Sequence, residues 1–119
     1  MIDHIGLFVS DAAQYADFYE KLLAPLGYVK KVAYPTAVCF ANDEDGDSVW
    51  LESPKDGNPV VPSHVAFRAK DEAAVKAFHE AGLASGGTDN GAPGPRPNFG
   101  PTYYAAFIHD PDGNNIEAM

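Results

Sequence analysis

Apolar and polar positions alternate over Ile2–Val9, with His4, Gly6 and Phe8 on one side and Ile5, Leu7 and Val9 on the other. A period of two predicts a strand. The pattern then becomes a helical stripe of Tyr15, Phe18, Tyr19, Leu22 and Leu23, opened by the N-cap signal Ser10-Asp11 and stopped by Pro25 and Gly27. Strands are predicted over 28–33, 36–41 and 48–53. After a linker at 54–62 the pattern restarts. His64, Ala66 and Arg68 alternate with Val65, Phe67 and Ala69, and Asp71 caps a helix that runs to about Leu83 before Gly86-Gly87. The Gly/Pro-rich run 85–101 is long for a structureless connection, so it holds a short strand around 88–91 or forms a lid or binding loop. The chain closes with a hairpin over Tyr103–Glu117, turned at Asp110-Pro111-Asp112-Gly113. There Pro111 presets φ, Asp112 is expected to bond its own backbone, and Gly113 accepts a positive φ. Glu117 sits between apolar Ile116 and Ala118, so its carboxylate must face water or meet a partner.

The two halves are the same unit. A shift of 60 residues places His4 on His64, Asp11 on Asp71, Phe18 on Phe78, Leu23 on Leu83 and Gly27 on Gly87. A shift of 67 places Asp45-Gly46 on Asp112-Gly113, Val49 on Ile116 and Trp50 on Glu117. Each half reads as strand–helix–strand–strand–strand, and two such halves side by side would turn their first strands to one cleft. His4 and His64 then hold equivalent places, with Glu117 on the last strand. Two imidazoles and one carboxylate make a divalent-metal site with open positions for water or a chelating substrate. Glu52, on the Trp50 face, would make it a two-His-two-Glu site if it reached in, but Trp50 holds the slot symmetric to Glu117.

Composition narrows the partners. The net charge of −9, from 8 basic and 17 acidic residues, argues against nucleic acid and anionic membranes. The single cysteine, Cys39, lies in an apolar run and reads as a small core residue. The acidic stretch 42–47 lacks the calcium-loop ligand spacing and reads as a solvated turn. No stretch suits a bilayer span and the first residues show no secretory pattern, so a cytoplasmic location is expected.

The segments Asp3-His4-Ile5-Gly6, Phe18-Tyr19-Glu20, Leu26-Gly27-Tyr28, His64-Val65-Ala66-Phe67 and Phe107 through Glu117 resemble the vicinal oxygen chelate superfamily. That superfamily includes glyoxalase I, extradiol dioxygenases, and fosfomycin- and bleomycin-resistance proteins. The resemblance spans nearly the whole chain. It implies an α+β fold of two βαβββ modules, 1–53 and 63–119, forming a half-open barrel around a metal cleft within a single domain 1–119. It implies a divalent ion held by His4, His64 and Glu117, a small-molecule substrate chelated through neighbouring oxygens, and a homodimer. The implied activity is of the lyase, isomerase, dioxygenase or transferase type. The alternative is a metal-free small-molecule binding protein of the bleomycin-resistance kind. Glyoxalase I has a further ligand on the fourth strand, where this chain shows Trp50. Fe, Mn, Zn, Ni and Co are not distinguished by such a ligand set.

Secondary candidates surround this set. Arg68, on the His64 face, would anchor a substrate carboxylate or phosphate, or neutralise nearby acids. Arg96 would swing over the cleft or remain solvated. His109 would act as a base at the rim or lie on the surface by the turn. Tyr103 or Tyr104 would line the pocket, Trp50 would form an apolar wall, and His79 would be solvated or packed beside the helix end.

Overall fold

The computed structural model describes residues 1–119, and the period-two segments become two four-stranded sheets. The first holds β1 (His4–Phe8), β2 (Val29–Tyr34), β3 (Ala37–Asn42) and β4 (Asp47–Glu52), in the order β1-β4-β3-β2. The second holds β5 (His64–Phe67), β6 (Thr88–Pro95), β7 (Tyr104–His109) and β8 (Asn115–Ala118), in the order β5-β8-β7-β6. In each, the first strand is an edge and pairs in parallel with the last, and the remaining pairs are antiparallel. This is an α+β fold of two βαβββ units whose sheets stay open. The registers carry the duplication: Gly6 lies opposite Trp50 where Ala66 lies opposite Glu117, and His4 opposite Ser48 where His64 lies opposite Asn115. The Gly/Pro run does hold a strand, longer than the sequence pattern marks, because two register shifts let β6 pass its glycines and prolines.

Helix α1 (Ala12–Leu23) is capped by Asp11, which accepts from the Gln14 amide, and α2 (Glu72–Ala84) by Asp71, which accepts from the Ala74 amide. Their apolar stripes, including Phe18, Tyr19, Leu22, Val75 and Phe78, are buried. The helices pack on each other as well as on their own sheets. Leu7, Val9, Val49 and Leu51 of the first sheet and Phe67, Ile108 and Ile116 of the second join them in one cluster. Each such side chain contributes about 1.5–3 kcal/mol on burial. Both units therefore share one core, and by strand alternation the face with His4, Gly6 and Phe8 and the face with His64 and Ala66 both look away from it.

The terminal turn joins the units. Asp110, 3% exposed, accepts from the Tyr19 hydroxyl (2.5 Å), Asn114 Nδ2 (2.8 Å) and the backbone amides of Asp112 (3.0 Å) and Asn114 (2.8 Å). Asn114 also donates to Phe8 O and accepts from the Ser63 amide. Asp112 does not bond its own backbone as the sequence pattern suggests. Asp110, placed before the proline, is the one in reach of the following amides. Asp112, further on in the turn, accepts from the Ser10 amide at the end of β1 (2.6 Å). Gly113 takes φ +87°. Burial first, then the Asp110 charge, pushes the Tyr19 hydroxyl well above its ordinary pKa, so it remains a donor.

The acidic turn 42–47 is exposed at Asp43, Glu44 and Asp45, but Asn42 is buried and caps it by accepting from the Glu44 and Asp45 amides. Cys39 is buried and free. His79 is packed rather than solvated: its Nε2 donates to Asp89 Oδ1 (2.9 Å), clamping α2 to β6. No helix is long and apolar enough to cross a membrane.

Replacing Asp110 by Ala leaves the Tyr19 hydroxyl and the Asp112 and Asn114 backbone amides without their side-chain acceptor, and urea denaturation should show a loss of about 2–4 kcal/mol. Tyr19→Phe, which removes one donor, should cost about 1–2 kcal/mol. The His79 hydrogen bond, then the Gly91 amide, holds the Asp89 carboxyl below its ordinary pKa. A depressed folded pKa gives stability that is complete above the unfolded pKa and lost as pH falls through the folded one. Thermal midpoints should therefore drop more steeply in the wild type than in Asp89→Asn once pH falls below the ordinary aspartate range.

Candidate metal centre

On the outward face of the second sheet, strand pairing sets Ala66, Glu117, Phe107 and Gly91 in one row across β5, β8, β7 and β6. Glu117 is only 3% exposed, so its carboxylate meets partners rather than water. Tyr103, just before β7, donates its hydroxyl to Glu117 Oε1 (2.7 Å). That hydrogen bond, then burial, raises the Tyr103 pKa, so it remains a donor. His64 Nε2 lies 3.1 Å from Glu117 Oε2.

The other ring nitrogen fixes what Nε2 presents. His64 Nδ1 faces the Asn115 carbonyl at 3.1 Å, and a carbonyl only accepts, so Nδ1 carries the proton. In neutral imidazole Nε2 then turns a lone pair to a carboxylate oxygen. Two electron-rich atoms at that distance need a proton or a cation between them. Ligands about 2.1 Å from a shared ion and 3.1 Å from each other subtend roughly a right angle, as neighbouring octahedral ligands do. The pair fits two positions of a divalent centre. The His64 ring also stacks on Phe107, with centroids 6.4 Å apart.

His4 is prepared the same way on the first sheet. Its Nδ1 donates to Asp3 Oδ1 (2.7 Å), which leaves Nε2 free. Yet the expected meeting of His4, His64 and Glu117 in one cleft is realised only in part. Within the chain no three His, Cys, Asp or Glu side chains come together to hold an ion. The reason is the shared core: each sheet turns its apolar face to the helices, and the faces with His4 and His64 belong to different sheets. On the same face as His4, Glu52, opposite Phe8, bends over Gly6, and a methyl there would stand 2.7 Å from its Oε1. Trp50 lies half-buried opposite Gly6.

The other candidates separate. Arg96 is not free to swing: its guanidinium donates to the carbonyls of Ala92, Gly94 and Pro95 and lies 5.4 Å over the Phe107 ring. His109 is half-exposed and opposite Asn115, two strands from His64, with no hydrogen bond to Glu117. Arg68 is exposed and makes no ion pair. Sequence reasoning missed Asp3 and the Asn115 carbonyl as the groups that orient the histidines. The adjacent Asp3-His4 pair was a readable signal; a backbone carbonyl across a strand pair was not.

The profile of the Glyoxalase/Bleomycin resistance protein/Dioxygenase superfamily matches residues 1–118. The chain belongs to this superfamily. Among solved structures, this superfamily member is similar to a glyoxalase/bleomycin resistance protein from Albidiferax ferrireducens T118, with 32% identity, a TM-score of 0.85, and coverage of 99% of this chain and 96% of that one. At the level of fold it is similar to a lactoylglutathione lyase from Agrobacterium tumefaciens (21% identity, TM-score 0.72, coverage 99% and 91%). The oxidase ChaP-H2 is similar in the same sense (20% identity, TM-score 0.67, coverage 99% and 91%). A comparison with curated proteins finds no significant match. The fold seen here is thus shared with proteins named as a lyase and as an oxidase.

Tyr103→Phe removes the only hydroxyl on the buried Glu117 oxygen. It should cost about 1–2 kcal/mol in urea denaturation with an unchanged far-ultraviolet circular dichroism spectrum.

Proposed function

We propose that the chain is a divalent-metal-dependent enzyme acting on a small molecule bound through neighbouring oxygens. The ion is held between two copies: His64 and Glu117 come from one, His4 from the other. The observation that carries this reading is His64 Nε2 lying 3.1 Å from Glu117 Oε2 while Nδ1 is turned to the Asn115 carbonyl. The second copy follows from the split set. His4 lies on the outward face of the first sheet with the exposed apolar side chains of Ile2 (70%) and Phe8 (52%), a surface suited to being covered. A bound divalent ion would polarise the substrate's adjacent oxygens, the step common to lyase, isomerase, dioxygenase and transferase chemistry. The chain's own residues do the rest. The Asn115 carbonyl holds the His64 tautomer, Tyr103 holds Glu117, and Phe107 shields the imidazole.

A metal-free binding protein of the bleomycin-resistance kind is the second reading, favoured by the absence of a complete ligand set in one chain. Metal analysis and titration calorimetry decide between them. About one divalent ion per chain is expected, with His64→Ala, Glu117→Gln and His4→Ala each losing it and Glu52→Ala keeping it. Loss in Glu52→Ala would make Glu52 a ligand. Mixing His4→Ala with His64→Ala chains should restore about a quarter of the metal stoichiometry, since each mixed dimer rebuilds one site of two. A site within one chain restores none, and no ion in the wild type would leave the binding-protein reading.

A further inference from the structure

The chain has two arginines, and they are in opposite states. Arg96 is tied to three carbonyls, whereas Arg68 has neither hydrogen bond nor ion pair. Arg68 has a definite place. Parallel pairing continues past β5, with the Met119 amide donating to Phe67 O (3.0 Å) and the Ala69 amide to Met119 O (2.8 Å). Arg68 therefore lies opposite Met119 on the outward face, one row beyond Ala66 and Glu117. It borders a cavity of about 450 Å³ whose wall includes Phe99, Thr102, Tyr103 and Met119. Phe99, 65% exposed, meets Tyr103 edge-on with centroids 5.4 Å apart. The Tyr103 hydroxyl touches Glu117, so one residue of this wall also contacts a candidate metal ligand. Two acids also line the cavity, Glu72 and Asp71, the latter accepting from the Ala74 amide, and Arg68 is the one cation among the lining residues.

We infer that Arg68 and the cavity bounded by Phe99 and Tyr103 form a subsite for a carboxylate arm, carried by a substrate whose other end chelates through neighbouring oxygens. The row separation is about 6.6 Å. A planar molecule with its chelating oxygens and its carboxylate at opposite ends of one ring bridges that gap, and a guanidinium takes a carboxylate in two parallel hydrogen bonds. In a chain of net charge −9, an unpaired guanidinium is a local exception that discriminates between charged and neutral ligands. The chelating end rests on the metal reading above; the carboxylate contact does not.

The test uses two probes, catechol and 3,4-dihydroxybenzoate, titrated calorimetrically into the Mn²⁺-loaded full-length protein. The wild type should bind the carboxylated probe about tenfold tighter or more, the size of one charge-assisted pair. Arg68→Gln should erase that preference while catechol affinity changes less than about twofold. Arg68→Lys should keep part of it. Equal affinities in the wild type, or equal losses of both probes in Arg68→Gln, would overturn the subsite. In metal-free protein, benzoate should saturably shift the Arg68 Nε–Hε resonance in ¹H–¹⁵N spectra. A protein that takes no metal yet shows that shift keeps the subsite and loses the metal centre. Metal binding without the shift or the preference does the reverse.

Discussion

A carboxylate with 3% of its surface exposed survives only if donors replace its water, and at Asp110 those donors come from different parts of the chain. Two are backbone amides of its own turn, one is Asn114, and one is the Tyr19 hydroxyl on α1 of the other unit. Asn114 extends the demand by reaching Phe8 O at the end of β1 and the Ser63 amide at the start of β5. Few relative placements of the two units meet all of these at once. The hairpin is thus a joint more than a turn, and it sets how the two sheets share their core.

From that joint follows the division of the outward surface. A sheet has two faces, and here the apolar face of each is used up on the helices. Everything chemically active is left on the opposite faces, and the two faces belong to different sheets. This is why two of the expected ligands meet directly while the third stands apart, already oriented by Asp3. The units are duplicates in backbone register, yet their outward side chains differ in kind. Phe8 answers to Arg68, Trp50 to Glu117 and Glu52 to Met119. At each place one unit carries charge and the other a large apolar group.

Much of this was legible in the residues. The strands, both capped helices and the duplication follow from period and spacing, because alternation and N-cap chemistry are local. The partners of Glu117 were legible only as a demand: a carboxylate between Ile116 and Ala118 had to find something, but that Tyr103 folds back to it depends on the turns at 96–103. The path of β6 was hidden because its glycines and prolines are tolerated only through register shifts that no periodicity records. Asp110 was read as part of a turn and Asp112 as its stabiliser, when their roles are divided between the turn and the joint. What the sequence could not show is which way two duplicated sheets turn. Either packing satisfies the same alternation, and only the helix contacts and the joint choose between them.

The unequal outward faces bear on the proposed chemistry through charge. Under the metal reading, two neutral imidazoles and one carboxylate leave a divalent ion with a net charge of about +1 in its first shell. An ion in that state favours an anionic oxygen from its substrate over a neutral one, since Glu117 is itself withdrawn from water and cannot be supplemented cheaply. Trp50 at the place symmetric to Glu117 keeps a second carboxylate out of the equivalent slot. Glu52, one row away, bends toward that row only because Gly6 has no side chain to stop it. Under the metal reading, the charge at the centre would depend on whether Glu52 stays clear of the ion. That leaves Gly6, which has no functional group of its own, as the position that sets where the Glu52 carboxylate can lie.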